Sequence, residues 1–376
     1  MTFEPPYSWG EIRRGIDRVM LIAILCLFAL GLVSIFSAGV GVMSANATNA
    51  LKQALWGLFG IAVYVIILRI GYQNFVRVAF WIYGVAIILL IVLLLTGSAS
   101  RGAVSWFRVG SVGFQPSELG KVALILSMSR FCSRYPPDTL KRLIASLILS
   151  GASIVLILLQ PDLGSSLVYC AIIFAILTVA GAPVKYLGGI VLAGVFTMPF
   201  LWRSLKEYQK LRLKVFLDPY IDPQGAGYNV IQSRIAVGSG GLWGKGFLHG
   251  TQGRLHFLPE PHTDFIFSVY AEEFGFIGAV IVIVLFSILF WRILRAAFRT
   301  KDIRAKLLCV GIVAWTWFQV MESVAMSMGL APITGLPLPL FSYGGSSLLM
   351  TMIGLALAQS VAVSSVRGKM TMVVYR

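Results

Sequence analysis

What this chain lacks most is charge. Of its 376 residues only 12% are Asp, Glu, Lys or Arg, against 58% hydrophobic, and the mean hydropathy is +0.85. A soluble domain carries roughly a quarter charged residues. Half that share leaves too little polar surface to cover a globule in water, so the composition points to an integral membrane protein. Acidic residues are scarcer still, 15 against 31 basic, for a net charge of +16. The basic residues are spread between apolar runs and form no groove-sized cluster. That pattern disfavours nucleic acid as a partner and matches the positive-inside bias of membrane proteins. The four cysteines, Cys26, Cys132, Cys170 and Cys309, show no metal-ligand spacing and fall in or beside apolar runs as small hydrophobes. No P-loop, dinucleotide fingerprint or zinc-ligand spacing occurs, which disfavours a nucleotide-sugar enzyme or an ATP-driven pump. The segment up to Arg18 lacks the short apolar region and Ala-x-Ala site of a cleaved signal, so the first apolar run is read as an uncleaved helix.

What is present is a series of apolar runs. A spanning helix needs about 20 such residues. On that rule the chain holds about ten spans, at roughly 18–40, 51–70, 77–97, 116–133, 142–160, 163–181, 184–202, 265–298, 304–330 and 344–365. The eighth run would be ~50 Å long as one helix, against a ~30 Å hydrocarbon core. Its natural break is Glu272-Glu273-Phe274-Gly275. Placing Arg13, Arg14 and Arg18 in the cytoplasm puts most Lys- and Arg-bearing loops there too, with both termini inside. The expected fold is all-α: one polytopic membrane domain over 1–376 with a large extracytoplasmic loop at about 203–263. In that loop, Trp202 to Lys214 reads as a basic amphipathic helix at the interface. Gly238 to Gly246 is glycine-dense, which lets a backbone approach a ligand closely.

Polar groups crowd into one stretch, Arg254 to Gly275. His256, Glu260, His262, Thr263 and Asp264 come just before a long apolar helix. At the outer end of that helix Asp264 is near lipid yet reachable from water, and partial desolvation makes a carboxylate a better base. The alternative is an N-cap for the helix, with Thr263 as a rival. Glu118 and Lys121 share one helical face, either as an ion pair that locks helices together or as substrate contacts. Asp162 follows Pro161 at an N-cap position, so it reads as a cap or as a site residue. Ser342, Tyr343, Ser346 and Ser347 offer hydroxyls to a phosphate or sugar, unless the glycines beside them serve close helix packing. Glu272, Glu273 and Glu322 are intramembrane carboxyls, each functional or neutral and hydrogen-bonded.

Six runs, in order along the chain, resemble the SEDS family of bacterial cell-wall proteins. They are Phe114-Gln-Pro-Ser-Glu118, Gln160-Pro-Asp-Leu-Gly164, Asp222-Pro-Gln-Gly-Ala-Gly-Tyr228, Ile235-Ala-Val-Gly-Ser-Gly-Gly241, Phe257-Leu-Pro-Glu-Pro-His-Thr-Asp-Phe-Ile-Phe267 and Pro337-Leu-Pro-Leu-Phe-Ser-Tyr-Gly-Gly-Ser346. The run Gly244 to Gln252 is closer to the elongation branch of the family than to the division branch. The resemblance implies a peptidoglycan glycosyltransferase that polymerises lipid II on the outer face of the bacterial cytoplasmic membrane. It implies ten membrane helices and a class B penicillin-binding protein as the transpeptidase partner. It places the essential carboxylate at Asp264, cavity residues at Glu118 and Lys121, and a sensitive position at Asp162. One departure is Ser323, after Glu322, where many relatives carry Asn.

The implied reaction is an inverting transfer with Asp264 as general base. Lys121, Arg101, Arg108, Arg212, Lys214, Arg234 and Lys245 are the candidate partners of the pyrophosphate, and Ser342 and Tyr343 are candidates for the sugar or phosphate. No cofactor is required, and a divalent cation (Mg or Mn) is compatible with this chemistry. The rival functions are a lipid II flippase, with Glu118, Lys121, Asp162 and Glu322 along a transport path, and a non-catalytic scaffold for a transpeptidase.

Overall fold

The computed structural model describes residues 3–38, 43–96, 106–109, 112–253, 257–258 and 260–374. The elements run in order α1 (Trp9–Gly15), α2 (Arg18–Ser37), α3 (Met43–Ile70), α4 (Tyr72–Arg77), α5 (Ala79–Thr96), β1 (Phe107–Val109), β2 (Val112–Phe114), α6 (Pro116–Arg134), α7 (Leu140–Leu159), α8 (Leu163–Val179), α9 (Val184–Ser204), α10 (Glu207–Leu217), α11 (Ala226–Ser239), α12 (Ile266–Arg299), α13 (Ile303–Ser327) and α14 (Gly345–Val374). The two strands form an antiparallel hairpin with Phe107 opposite Phe114. A helix overlies each of the ten apolar runs. Among the described residues seven helices are long and apolar enough to cross a membrane: α2, α3, α5, α7, α12, α13 and α14. The apolar stretches Leu163–Val179 and Val184–Phe200 are shorter. Helix α6 carries the charges of Glu118 and Lys121. The chain is thus a multi-pass helical membrane protein.

Short polar signals set the helix starts. Asp17 accepts from Met20 N (3.1 Å) at the head of α2, and also binds Arg292 Nε of α12 (2.8 Å). Asp302 caps α13 through Arg304 N, and Pro116 opens α6 at a position where a missing N–H costs nothing. Helices α13 and α14 form the centre. Buried residues make up 83% of the apolar window of α14 but only 28% of those of α5, α7 and α12. The latter present most of their side chains outward, as lipid-facing helices do.

The eighth run breaks where its length requires. Gly275 has φ 65° and ψ −164° inside α12, which interrupts the ladder and leaves carbonyls before the break and amides after it without intrahelical partners. The glycine-dense loop supplies them. Lys245 N donates to Glu272 O and Gly246 N to Glu273 O (both 3.0 Å), while Phe276 N donates to Gly241 O (2.9 Å) and Ile277 N to Leu242 O (3.2 Å). This requires backbone-to-backbone approach: a Cβ on Gly240 would lie 2.1 Å from Ala271 O, and one on Gly244 would lie 2.0 Å from Glu273 O. What these glycines approach is a broken helix; the sequence had suggested a ligand. The interfacial helix also sits later than expected. Helix α9 continues to Ser204, so α10 begins at Glu207.

Candidate functional site

A cavity of about 810 Å³ opens at one end of the bundle, where α8, α12 and α14 begin. The start of α3 contributes Lys52 and Trp56, the hairpin Trp106 and Gly113, the α7–α8 turn Pro161 and Asp162, and α10 Tyr208, Gln209 and Arg212. The turn before α12 contributes Glu260, Thr263 and Asp264, and the extended α13–α14 connection adds Thr334, Gly335 and Tyr343.

Asp264 is half-buried and held by its neighbours' backbone. The hydroxyl of Ser342 donates to Thr263 O (2.7 Å) and accepts from Leu338 N (2.9 Å), and Tyr343 N donates to His262 O (2.9 Å). Gln53 of α3 clamps the same segment, donating to Ser342 O and accepting from Gly344 N, both at 3.1 Å. The N-cap position of α12 is Phe265, neither Asp264 nor Thr263. The imidazole of His262 stands edge-on to Tyr343, with centroids 5.7 Å apart. Burial holds its pKa below the usual histidine range, with Glu260 pulling the other way. Asp162 is the N-cap that its position after Pro161 suggested. It caps α8 through Ser165 N (2.9 Å) and Ser165 Oγ (2.8 Å), and it lines the cavity.

Of the residues singled out in the sequence, Asp162, Arg212, Glu260, Thr263, Asp264, Tyr343 and Ser347 line this cavity, and Glu118, Lys121, Lys214, Arg234, Lys245 and Ser342 do not. Glu118 and Lys121 form a 2.6 Å ion pair, 1% and 0% exposed, with Lys121 Nζ 5.0 Å above the Trp315 ring. Neither reaches the cavity wall. Lys245 binds Glu272 (2.6 Å) and Thr251 Oγ1 (2.9 Å), and Arg234 donates to Gly329 O (2.8 Å) beyond the end of α13. Ser342 spends its hydroxyl on bracing the turn, and Lys214 is exposed away from the wall. Arg101, His256 and the side chain of Arg108 lie outside the described residues. Among the described residues no group of three His, Cys, Asp or Glu could hold a metal ion.

Sequence reasoning missed Lys52, Trp56, Trp106, Tyr208 and Thr334. A signal existed for Lys52: it is a lone lysine at the mouth of a span whose preceding loop, residues 41–50, has no Lys or Arg. No periodicity marks the aromatic residues, which meet only through the tertiary fold.

Comparison with known proteins supplies the context for this geometry. Residues 17–366 match the family described as cell cycle protein, FtsW/RodA/SpoVE. The chain is 37% identical over 357 residues to peptidoglycan glycosyltransferase MrdB of Escherichia coli (strain K12), covering 94% of each chain. It is 32% identical over 420 residues to peptidoglycan glycosyltransferase RodA of Treponema pallidum (strain Nichols), covering 92% of this chain and 97% of that one. Among solved structures it resembles a chain of a peptidoglycan synthase complex that coordinates polymerisation and crosslinking, with TM-score 0.80, 30% identity and coverage of 93% and 98%. It also resembles the rod shape determining protein RodA of Thermus thermophilus, with TM-score 0.70, 29% identity and coverage of 92% and 96%.

Proposed function

The chain belongs to the FtsW/RodA/SpoVE family of cell cycle proteins, and we propose on that footing that it is a peptidoglycan glycosyltransferase of the elongation type. It polymerises lipid II into glycan strands at the outer face of the bacterial cytoplasmic membrane. On this reading the chain crosses the membrane ten times with both termini in the cytoplasm, which the bias of Lys and Arg between the apolar runs supports, and the cavity faces outward, where lipid-linked sugars are presented. A class B penicillin-binding protein is the partner that crosslinks the strands.

The observation that carries this reading is the cavity wall. It sets the Asp264 carboxylate, on a braced turn at the head of a membrane helix, in the same chamber as Lys52 and Arg212. Glycosyl transfer with inversion needs a base on the face of the attacking hydroxyl and positive charge at the departing pyrophosphate. Asp264 takes the proton of the acceptor's 4-hydroxyl as that oxygen bonds to the anomeric carbon. The bond to the pyrophosphate breaks on the opposite face, where Lys52 and Arg212 receive the charge. Trp56 and Trp106 offer flat faces to sugar rings, and Leu163, Leu167 and Leu213 give the lipid an apolar approach. Among the described residues the wall carries three carboxylates, Asp162, Glu260 and Asp264, and two cations, Lys52 and Arg212. A pyrophosphate adds further negative charge. A divalent cation (Mg or Mn) that enters with the substrate would balance that charge, and no resident cofactor is called for.

The test is polymerisation of lipid II by the purified protein in detergent, with its transpeptidase partner, and glycan strands read on a gel. Asp264→Ala and Asp264→Asn are expected to lower the rate by about 10²–10⁴-fold, the span of a general base. Strand synthesis by Asp264→Ala at the parent rate sinks the assignment. Lipid movement in vesicles without polymer under any condition favours a flippase.

A further inference from the structure

Glu322 has no part in the chemistry above, yet it is buried beside it. It lies near the end of α13, 8% exposed, where an acid is costly without a partner. One carboxyl oxygen, Oε1, accepts a hydrogen bond from Thr334 Oγ1; Oε2 has no hydrogen-bond partner among the described residues. Thr334 belongs to the segment Ile333–Gly335, which forms part of the cavity wall. Three groups hold that segment. Arg212 Nη1 donates to Ile333 O (3.3 Å). Gly164 backs onto it so closely that a Cβ there would lie 3.0 Å from Thr334 O. Glu322 fixes the Thr334 side chain. The segment then faces the base: Gly335, with φ 73°, is where a Cβ would sit 3.5 Å from Asp264 Oδ2.

We propose that Glu322 is a positioning residue for glycosyl transfer, which holds the Ile333–Gly335 strap against Asp264 through the Thr334 hydroxyl. The inference rests on the glycosyltransferase reading. Arg212 and Asp264 sit on opposite ends of the strap's contacts. Its placement therefore sets the distance between the pyrophosphate partner and the base. A hydrogen bond from a hydroxyl to a carboxylate is short and directional, which suits it to fixing an extended segment that has no helix or sheet ladder of its own. A misplacement of about 1 Å at a reacting centre costs on the order of 10²-fold in rate.

The experiment is the lipid II polymerisation assay with the protein and its partner, on Glu322→Ala, Glu322→Gln, Thr334→Val, Thr334→Ser and the double variant Glu322→Ala/Thr334→Val. Glu322→Ala and Thr334→Val are each expected to lower kcat by about 10–100-fold with little change in KM. The double variant is expected to be no slower than the slower single one, since both remove the same bond. Glu322→Gln keeps an acceptor and Thr334→Ser keeps the hydroxyl, so both are expected to recover most of the rate. Parent-like rates in both Glu322→Ala and Thr334→Val overturn the inference. So do losses that multiply in the double variant, or a Glu322→Gln as slow as Glu322→Ala. Should Glu322→Ala fail to fold, Thr334→Val against Thr334→Ser decides the matter. A parent protein that makes no polymer, alongside Asp264→Ala, overturns the glycosyltransferase reading itself, an outcome distinct from a parent that polymerises and is indifferent to position 322.

Discussion

Alanine substitution along Gly238–Gly246 separates a structural use of glycine from a ligand-binding one. Gly238 lies in α11 with nothing within 4 Å of where its Cβ would be, so Gly238→Ala is expected to stabilise by up to about 1 kcal/mol through helix propensity. Gly241 also has open space, but its φ is 53°. An L side chain there costs roughly 1–2 kcal/mol. Gly244 has φ 81°, and a Cβ would lie 2.0 Å from Glu273 O and 2.4 Å from its carbonyl carbon. That neighbour is backbone at the break in α12 and cannot move without releasing the bonds from Lys245 N and Gly246 N to the carbonyls of Glu272 and Glu273. Two such bonds at about 1 kcal/mol each, added to the left-handed penalty, put Gly244→Ala at roughly 3–4 kcal/mol. Thermal unfolding in detergent is expected to rank the variants Gly238→Ala at or above the parent, then Gly241→Ala, then Gly244→Ala. Equal melting temperatures across the series, with polymerisation lost instead, would refute the reasoning and return the loop to a ligand.

Three further outcomes follow from charges and their burial. Glu118→Gln or Lys121→Met alone strands a buried charge and is expected to cost about 3–5 kcal/mol, whereas the double variant recovers most of it; unfolding curves of the three decide. Because burial keeps the His262 pKa below its ordinary value, the folded chain binds that proton less readily than the unfolded one. The contribution is complete above the unfolded value of about 6.5 and is lost as pH falls through the folded one. Unfolding followed from neutral to acid pH is expected to show this slope, and His262→Gln to flatten it. Lys52→Ala and Arg212→Ala each remove a charged partner worth about 1.5–3 kcal/mol. Lipid II titrations are expected to show losses of roughly ten- to a hundredfold, with Arg212→Ala lowering kcat as well because Arg212 also holds Ile333.

The ten helices that overlie apolar runs were legible in the sequence because each run is bounded by polar residues, and in a bilayer such a run has few alternatives to a helix. The break in the eighth run was legible from length alone. What plugs it was not: the loop and the break are some 30 residues apart, and glycine density does not say what the backbone approaches. The same limit separates the charged residues. Lys121, Lys245 and Arg234 looked equivalent to Arg212 as phosphate partners, since all are cations near polar motifs. Their partners, Glu118, Glu272 and Gly329 O, are fixed by packing. Lys121 and Glu118 at least declared their pairing by a spacing of three, whereas Lys245 and Glu272 lie 27 residues apart.

Asp264 illustrates why motif and fold must agree before a carboxylate is read as a base. A motif supplies the residue type; only the fold can hold it still. The His262–Asp264 turn has no ladder of its own, so its carbonyls need outside donors to stay fixed. They find them in Ser342 Oγ and the Tyr343 amide, in a connection itself clamped by Gln53 from α3. Two segments remote in sequence thus fix the backbone around one carboxylate, the α13–α14 connection directly and α3 through Gln53. Ser342 has a consistent role on this account, although it is not on the cavity wall. Its hydroxyl donates to Thr263 O and accepts from Leu338 N, which suits it to bracing the turn that carries Asp264. A site built this way keeps its rigidity in hydroxyls and amides one layer behind the wall and leaves the wall to Asp264, Lys52 and Arg212. Of the carboxylates that sit behind the wall, Glu118 is matched to Lys121 and Glu272 to Lys245, as the low dielectric of the membrane interior favours, while Glu322 is held by the Thr334 hydroxyl.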